Sequence, residues 1–216
     1  MAVPKQDLNH NLTLRVIAMQ NRSLVPAAWW AIATALSASM FALPAHAEPK
    51  LLPAQSEIAF TSKQMGVPVD GKFRTFEAQV GFDPKHPETA KIGFTIALAS
   101  VSLGIAATEA ELAKPEWFNT KAFPQATFQS TGVKALGAGK FEVSGKLAIK
   151  SFSRDVVVPV TVVQPAGPTG PTTASGSFAI KRLDFKIGDG DWSDTSMVAD
   201  AVQVKFKLVL TGVAAL

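Results

Sequence analysis

The chain has 216 residues and a formal net charge of +4, with 21 lysines and arginines, 17 acidic residues and no cysteine. The lack of cysteine excludes disulfides, thiol catalysis, thiolate metal sites and redox motifs. The basic residues are scattered along the chain rather than clustered, which argues against a nucleic-acid interface. The length is compatible with one or two domains, so the residue pattern has to decide between them.

The N-terminal 47 residues have the pattern of an export signal. Positive charges end at Arg22, and the stretch from Ser23 to Ala47 carries no charge and has an apolar centre. It closes with the tripeptide Ala-His-Ala, which provides the small residues that signal peptidase requires. The pattern predicts a signal peptide over residues 1–47 that is cleaved between Ala47 and Glu48.

Two alternatives accompany this prediction. Met19 is a second candidate start, since it leaves a signal of ordinary length that still contains Arg22. The other alternative is a retained membrane anchor, because the uncharged stretch is long enough to span a membrane. Polar residues such as Thr34 and Ser37 interrupt this stretch and argue against an anchor. We therefore expect residues 48–216 to form one exported domain that works in the periplasm.

Alternation of apolar and polar residues dominates residues 48–216. Apolar residues at every second position predict half-buried strands, and Val202 to Leu210 is the clearest case. About eight such segments are present: 57–61, 73–76 continuing into 78–82, 92–98, 126–131, 141–150, 156–163, 177–181 and 202–210. One short helical insertion, ended by Pro115, is predicted between Ala106 and Trp117. The pattern predicts an all-β antiparallel fold, either a sandwich or an eight-stranded barrel.

Residue types that carry catalysis or hold metals are scarce after residue 47. His86 is the only histidine there, so a zinc site lacks a histidine pair, and no nucleophile motif or phosphate loop is present. The carboxylates between Gly188 and Asp194 miss the calcium-loop spacing, because Asp194 stands where that loop needs glycine. We predict no enzyme activity, no metal and no cofactor.

A series of short motifs runs in order from Ser56 to Leu210. The most specific block begins at Leu112, continues through Trp117-Phe118 and ends with Phe123-Pro124-x-Ala126-x-Phe128. The other motifs are Ser56-x-Ile58-x-Phe60, Gly71-Lys72-Phe73, Phe82-Asp83-Pro84, Ser100–Gly104, Gly145-x-Leu147-x-Ile149 with Arg154, and Phe178-x-Ile180-x-Arg182. Their order and spacing resemble the YceI-like family of exported lipid- or polyisoprenoid-binding proteins. The chain departs from the family at residues 51–55, where a tryptophan is usual, and at Asp155, where proline is usual.

This resemblance implies a lipocalin-like barrel that holds a polyprenyl lipid or an isoprenoid quinone. Each buried methylene contributes about 0.8 kcal/mol, so the lipid tail would supply most of the affinity. Three cations, Arg154, Lys181 and Arg182, are candidates to meet a polar or anionic head group at the rim; the alternative is that they are isolated surface cations. The residues that we predict to line the cavity are Phe60, Phe94, Ile96, Leu98, Phe128, Phe141, Val143, Ile149, Phe178, Val204, Phe206 and Leu208.

Two function hypotheses follow from these observations. The first is an exported carrier or sequestering protein that holds an apolar lipid and contacts a membrane transiently. The second is a stress-related or interaction scaffold whose barrel is filled by its own side chains. The volume of the barrel interior discriminates between them. Neither hypothesis includes a nucleic-acid partner, and a homodimer is left open.

Overall fold

The structure is a computed structural model that describes residues 49–165 and 170–216. The predicted signal peptide and its cleavage site at Ala47 and Glu48 lie outside the described residues. The described part contains one α-helix, α1 (Ala106–Leu112), and a set of strands joined by short loops and 3₁₀ turns. The strands are β1 (Lys50–Leu51), β2 (Glu57–Gln64), β3 (Val67–Phe73), β4 (Phe76–Gly81), β5 (Lys91–Ala97), β6 (Val101–Ser102), β7 (Gln125–Gly137), β8 (Lys140–Ile149), β9 (Phe152–Val163), β10 (Thr172–Lys181) and β11 (Ala201–Thr211).

The strands form a closed ring of antiparallel pairs. Hydrogen-bonded neighbours follow the order β4, β5, β7, β8, β9, β10, β11, β2, β3, β6, and β1 adds to β11. The two ends of this order meet, because β3 continues into β4 across Arg74 and Thr75, and β5 continues into β6 across residues 98–100. Two backbone bonds bridge this bend: Arg74 donates to Ser100 and Ala97 donates to Thr75, each at 3.0 Å.

With β3–β4 and β5–β6 each counted as one bent strand, the ring is an eight-stranded barrel. The predicted fold class is therefore confirmed, although the number of separate strand segments is larger than predicted. The two bends are the reason for this difference, since each divides one long strand into two hydrogen-bonded pieces. Among the described strands, closure of the ring leaves no long unpaired sheet edge, which is a common way for all-β proteins to avoid edge-to-edge association.

The helical insertion is shorter than predicted. Helix α1 ends at Leu112, before Pro115, and the chain continues in turns. The loop that leads into α1 is fixed by Glu109, whose carboxylate accepts hydrogen bonds from the backbone N–H groups of Leu103 and Gly104 at 2.9 and 3.0 Å. These bonds hold the pKa of Glu109 below its ordinary value. In the described part of the chain, no helix has the length and hydropathy needed to cross a membrane.

Apolar side chains line the barrel from one end to the other. Successive residues of a strand point to opposite faces of the sheet, and on β8 the inward set belongs to two buried clusters. Phe141 and Val143 lie in the first cluster, and Leu147 and Ile149 lie in the second. Gly145 separates the two pairs along the strand. The barrel interior is therefore apolar in both of its halves.

Candidate ligand-binding site

A cavity of about 350 Å³ runs through the barrel interior. Its lining follows β11 from Val202 to Leu210, which is about 26 Å of strand at the usual rise per residue. At the usual strand tilt this length corresponds to roughly 20 Å along the barrel axis. Because a volume of about 350 Å³ extends over this length, the cavity is a narrow channel rather than a round pocket. The volume lies at the lower end of the roughly 300–1,000 Å³ typical of small-molecule sites.

The channel reaches the surface at the barrel end nearest α1. Two lining residues are exposed to solvent, Gln64 at the end of β2 and Thr108 in α1, and both lie at this end. The opposite, inner end is lined by buried aliphatic side chains, among them Val133 and Leu210. We call the exposed end the mouth and define it by Gln64, Leu103, Thr108, Glu111 and Trp192.

All twelve residues predicted to line the interior lie on the cavity wall. Their contact with a ligand stays a prediction. Among the described lining residues, Glu111 and Arg182 are the two with ionisable side chains, and the rest of the wall is overwhelmingly apolar. Within residues 49–165 and 170–216, no group of three or more His, Cys, Asp or Glu side chains is placed to hold a metal ion.

Three phenylalanines of the wall lie across inward-facing glycines of neighbouring strands. Phe60 lies opposite Gly71 and Phe206 lies opposite Gly176 in the strand register. The ring of Phe128 extends diagonally over Gly145. A Cβ atom at any of these glycines would overlap the phenyl ring. The glycines therefore allow the rings to lie flat against the wall, which keeps them from filling the channel.

Arg182 does not lie at the rim as predicted. Only 2% of its surface is exposed, because the 3₁₀ turn after β10 places it beneath the segment that leads to β11. All five of its N–H groups are directed at backbone carbonyls, at distances from 2.6 to 3.2 Å. The accepting carbonyls belong to Ile187, Gly188, Trp192, Val198 and Ala199. Burial lowers the pKa of the Arg182 guanidinium, and no N–H group remains for a lipid head group.

The other two candidate cations lie away from the cavity wall. Lys181 is exposed. Arg154 is also exposed, lies 4.0 Å from a carboxylate oxygen of Asp184 and places its guanidinium 6.0 Å from the centre of the Phe185 ring. Neither side chain lines the channel. Their role as head-group contacts stays a prediction, and the structure shows no contact of theirs with the channel.

Two tryptophans of the cavity wall were not among the predicted lining residues. Trp117 and Trp192 both line the cavity, and their rings lie 5.4 Å apart between centroids. The two residues are far apart in sequence and lie in turns. The alternation of apolar and polar residues that marks the inward face of a strand therefore gave no sign that they share a surface. The motif that contains Trp117 indicated the YceI-like family but gave no sign that Trp117 lines the cavity.

An eight-stranded antiparallel barrel with an apolar interior channel that reaches the surface beside α1 is the architecture of a small-ligand-binding protein. The model of the YceI-like domain matches residues 50–210 of the chain. The chain therefore belongs to the YceI-like family, and the predicted family assignment is confirmed.

Three relatives illustrate this relationship. The crystal structure of BcnA from Burkholderia cenocepacia shares 44% sequence identity, with a TM-score of 0.70 over 74% of this chain and 99% of that chain. A UPF0312 protein of Azotobacter vinelandii is 31% identical over 120 residues, which span 54% of this chain and 62% of the relative. A polyisoprenoid binding domain from Saccharophagus degradans covers 78% of this chain and 99% of its own at a TM-score of 0.62. Its sequence identity is 18%, so this last likeness concerns the fold alone.

Proposed function

We propose that the protein is an exported carrier or sequestering protein that holds a long apolar lipid, a polyisoprenoid chain or an isoprenoid quinone, inside the barrel. The observation that carries this proposal is the narrow apolar channel of about 350 Å³. Burial of each methylene contributes about 0.8 kcal/mol, and part of this is offset by the cost of ordering the chain. The family to which the chain belongs supports the same class of ligand.

The polarity of the wall supports one orientation of the ligand. Apolar groups such as Val133 and Leu210 line the inner end, whereas Gln64, Thr108 and Glu111 stand at the mouth. A lipid tail would therefore enter first and the head group would stay at the mouth. In the periplasm such a protein would exchange its lipid by transient contact with a membrane. The proposal assigns no reaction to the site.

The channel also supports the carrier hypothesis against the scaffold hypothesis. A scaffold needs a barrel filled by its own side chains, because a filled interior contributes to stability and an empty channel does not. Here the glycines opposite Phe60 and Phe206 make room for the two phenyl rings against the wall, so that the rings need not project into the channel. This arrangement favours a protein whose interior receives a ligand.

A series of isoprenoid alcohols of increasing length would test the proposed function. Each added isoprene unit is expected to raise affinity at least about tenfold until the channel is full, because the added carbons leave water. Affinity should then level off, since a longer tail would extend beyond the barrel. Displacement of a fluorescent polyene would report the dissociation constants. Affinities that do not depend on chain length would contradict binding inside the channel.

A further inference from the structure

Trp117 carries a buried hydrogen-bond donor that has no acceptor. Among the described residues, its indole Nε1 is the one buried side-chain nitrogen or oxygen without a hydrogen-bond partner. A buried donor left unpaired costs about 1–3 kcal/mol, and such exceptions in native proteins call for an explanation. The ring of Trp117 is part of the cavity wall. Because no group of residues 49–165 and 170–216 accepts from Nε1, a molecule that enters the cavity is a candidate source of an acceptor.

The indole ring of Trp117 is held in place from several sides. The carbonyl of Glu116 accepts hydrogen bonds from the N–H groups of Gly188 and Asp189 at 2.8 and 3.0 Å. Gly188 has a φ of +68°, and a Cβ atom there would lie 3.0 Å from the indole ring. The ring of Trp192 packs against the ring of Trp117, with 5.4 Å between their centroids. The unpaired donor therefore belongs to a preorganised side chain, which lowers the cost of using it for recognition.

The charges of the wall favour an uncharged head group. Arg182 directs all five N–H groups at backbone carbonyls and has none left for an anion. The other ionisable lining residue, Glu111, is acidic and offers no positive charge to a phosphate at the mouth. Lys114 lies 2.5 Å from the carboxylate of Glu111 and is engaged there. A phosphate beside Trp117 would lose part of its hydration and would find no unpaired cation among the described lining residues.

We propose that Trp117 recognises the head of the bound lipid: its Nε1–H donates to an uncharged acceptor, a carbonyl or hydroxyl oxygen, so that the channel selects neutral isoprenoids over their phosphates. This inference rests on the proposed function and names the class of head group. A quinone carbonyl and an alcohol oxygen both qualify. The indole can supply one N–H donor and no positive charge, which suits a neutral acceptor better than a phosphate.

The test compares three ligands on the wild-type protein and on the Trp117→Phe variant. The ligands are a prenyl quinone, the corresponding polyprenyl phosphate and squalene, an isoprenoid hydrocarbon without a head group. Phenylalanine keeps an aromatic wall but lacks the N–H donor. We expect the variant to bind the quinone about two- to twelvefold more weakly, the range that one hydrogen bond contributes, and to bind squalene as the wild type does. The wild type should bind the quinone more tightly than the phosphate.

Nuclear magnetic resonance adds a readout that a structural role of Trp117 would not change. The indole N–H signal of Trp117, assigned by its loss in the variant, should shift downfield with the quinone and much less with squalene. The proposal is overturned if the variant loses affinity equally for both ligands, if it loses none, or if the phosphate binds best. If squalene still binds in any of these three cases, the proposed lipid-binding function is retained and only the role of Trp117 is rejected. If none of the three ligands binds, the proposed function fails and this inference fails with it.

Discussion

Replacing Ala174 by tryptophan is expected to lower the affinity for a long-chain isoprenoid about 200-fold. Ala174 is buried, lines the channel and faces inward between Val162 of β9 and Leu208 of β11. An indole ring at this position would occupy space that we assign to the lipid tail. Displacement of about four methylenes at about 0.8 kcal/mol each corresponds to this loss of affinity. Displacement of a fluorescent ligand would measure it.

Ala179 offers a matched control for this experiment. It lies on the same strand, but it is exposed and paired with Gln203 on the outer face. Ala179→Trp should therefore bind the lipid with wild-type affinity. Ala174→Phe should give an intermediate loss, and thermal unfolding would show that each variant is folded. Equal affinities for Ala174→Trp and Ala179→Trp would show that the channel is not where the lipid binds.

Replacing Arg182 by methionine is expected to lower the free energy of unfolding by about 3–5 kcal/mol. The substitution keeps most of the apolar stem but leaves several buried carbonyls between Ile187 and Ala199 without a donor. Each buried acceptor left unpaired costs about 1–3 kcal/mol, and water recovers part of this. In a domain of this size the loss corresponds to a midpoint lowered by about 10 °C. Urea and thermal unfolding would measure both quantities.

Arg154 provides the control for Arg182. It is exposed and its ion pair with Asp184 spans 4.0 Å, so Arg154→Gln should change stability by less than about 1 kcal/mol. Arg182→Lys should fall between the two, because one ammonium group cannot reach the carbonyls that a planar guanidinium spans. A similar, small loss for Arg182→Met and Arg154→Gln would contradict the role that we give to the buried guanidinium.

Alternation along the strands was enough to predict the fold class and the side of each strand that faces inward. Phe94, Ile96 and Val204 illustrate why: each stands in a run where apolar residues recur at every second position, and each lies on the cavity wall. A strand has only two faces, so one regular pattern decides both the element and its orientation. The family motifs, which lie in the same segments, added the closed topology.

The features that the sequence pattern did not predict depend on contacts between distant segments. Arg182 follows a strand like many surface cations, and its burial depends on backbone carbonyls of residues 187–199, which have no signature in side-chain chemistry. The inward glycines were missed for a related reason. Gly145 is in phase with the apolar residues of β8, but only the folded structure shows that the Phe128 ring lies over it and leaves no room for a Cβ atom. The proximity of Trp117 and Trp192 likewise arises from folding of the turns.

Native mass spectrometry would show whether the barrel holds a lipid. The protein would be purified without detergent from its native cells, and the bound molecule would be identified after extraction. We expect a complex of one protein with one isoprenoid lipid, and loss of this complex in the Ala174→Trp variant. A barrel that is always empty, and that stays empty after addition of a prenyl quinone or a polyprenol, would contradict this expectation.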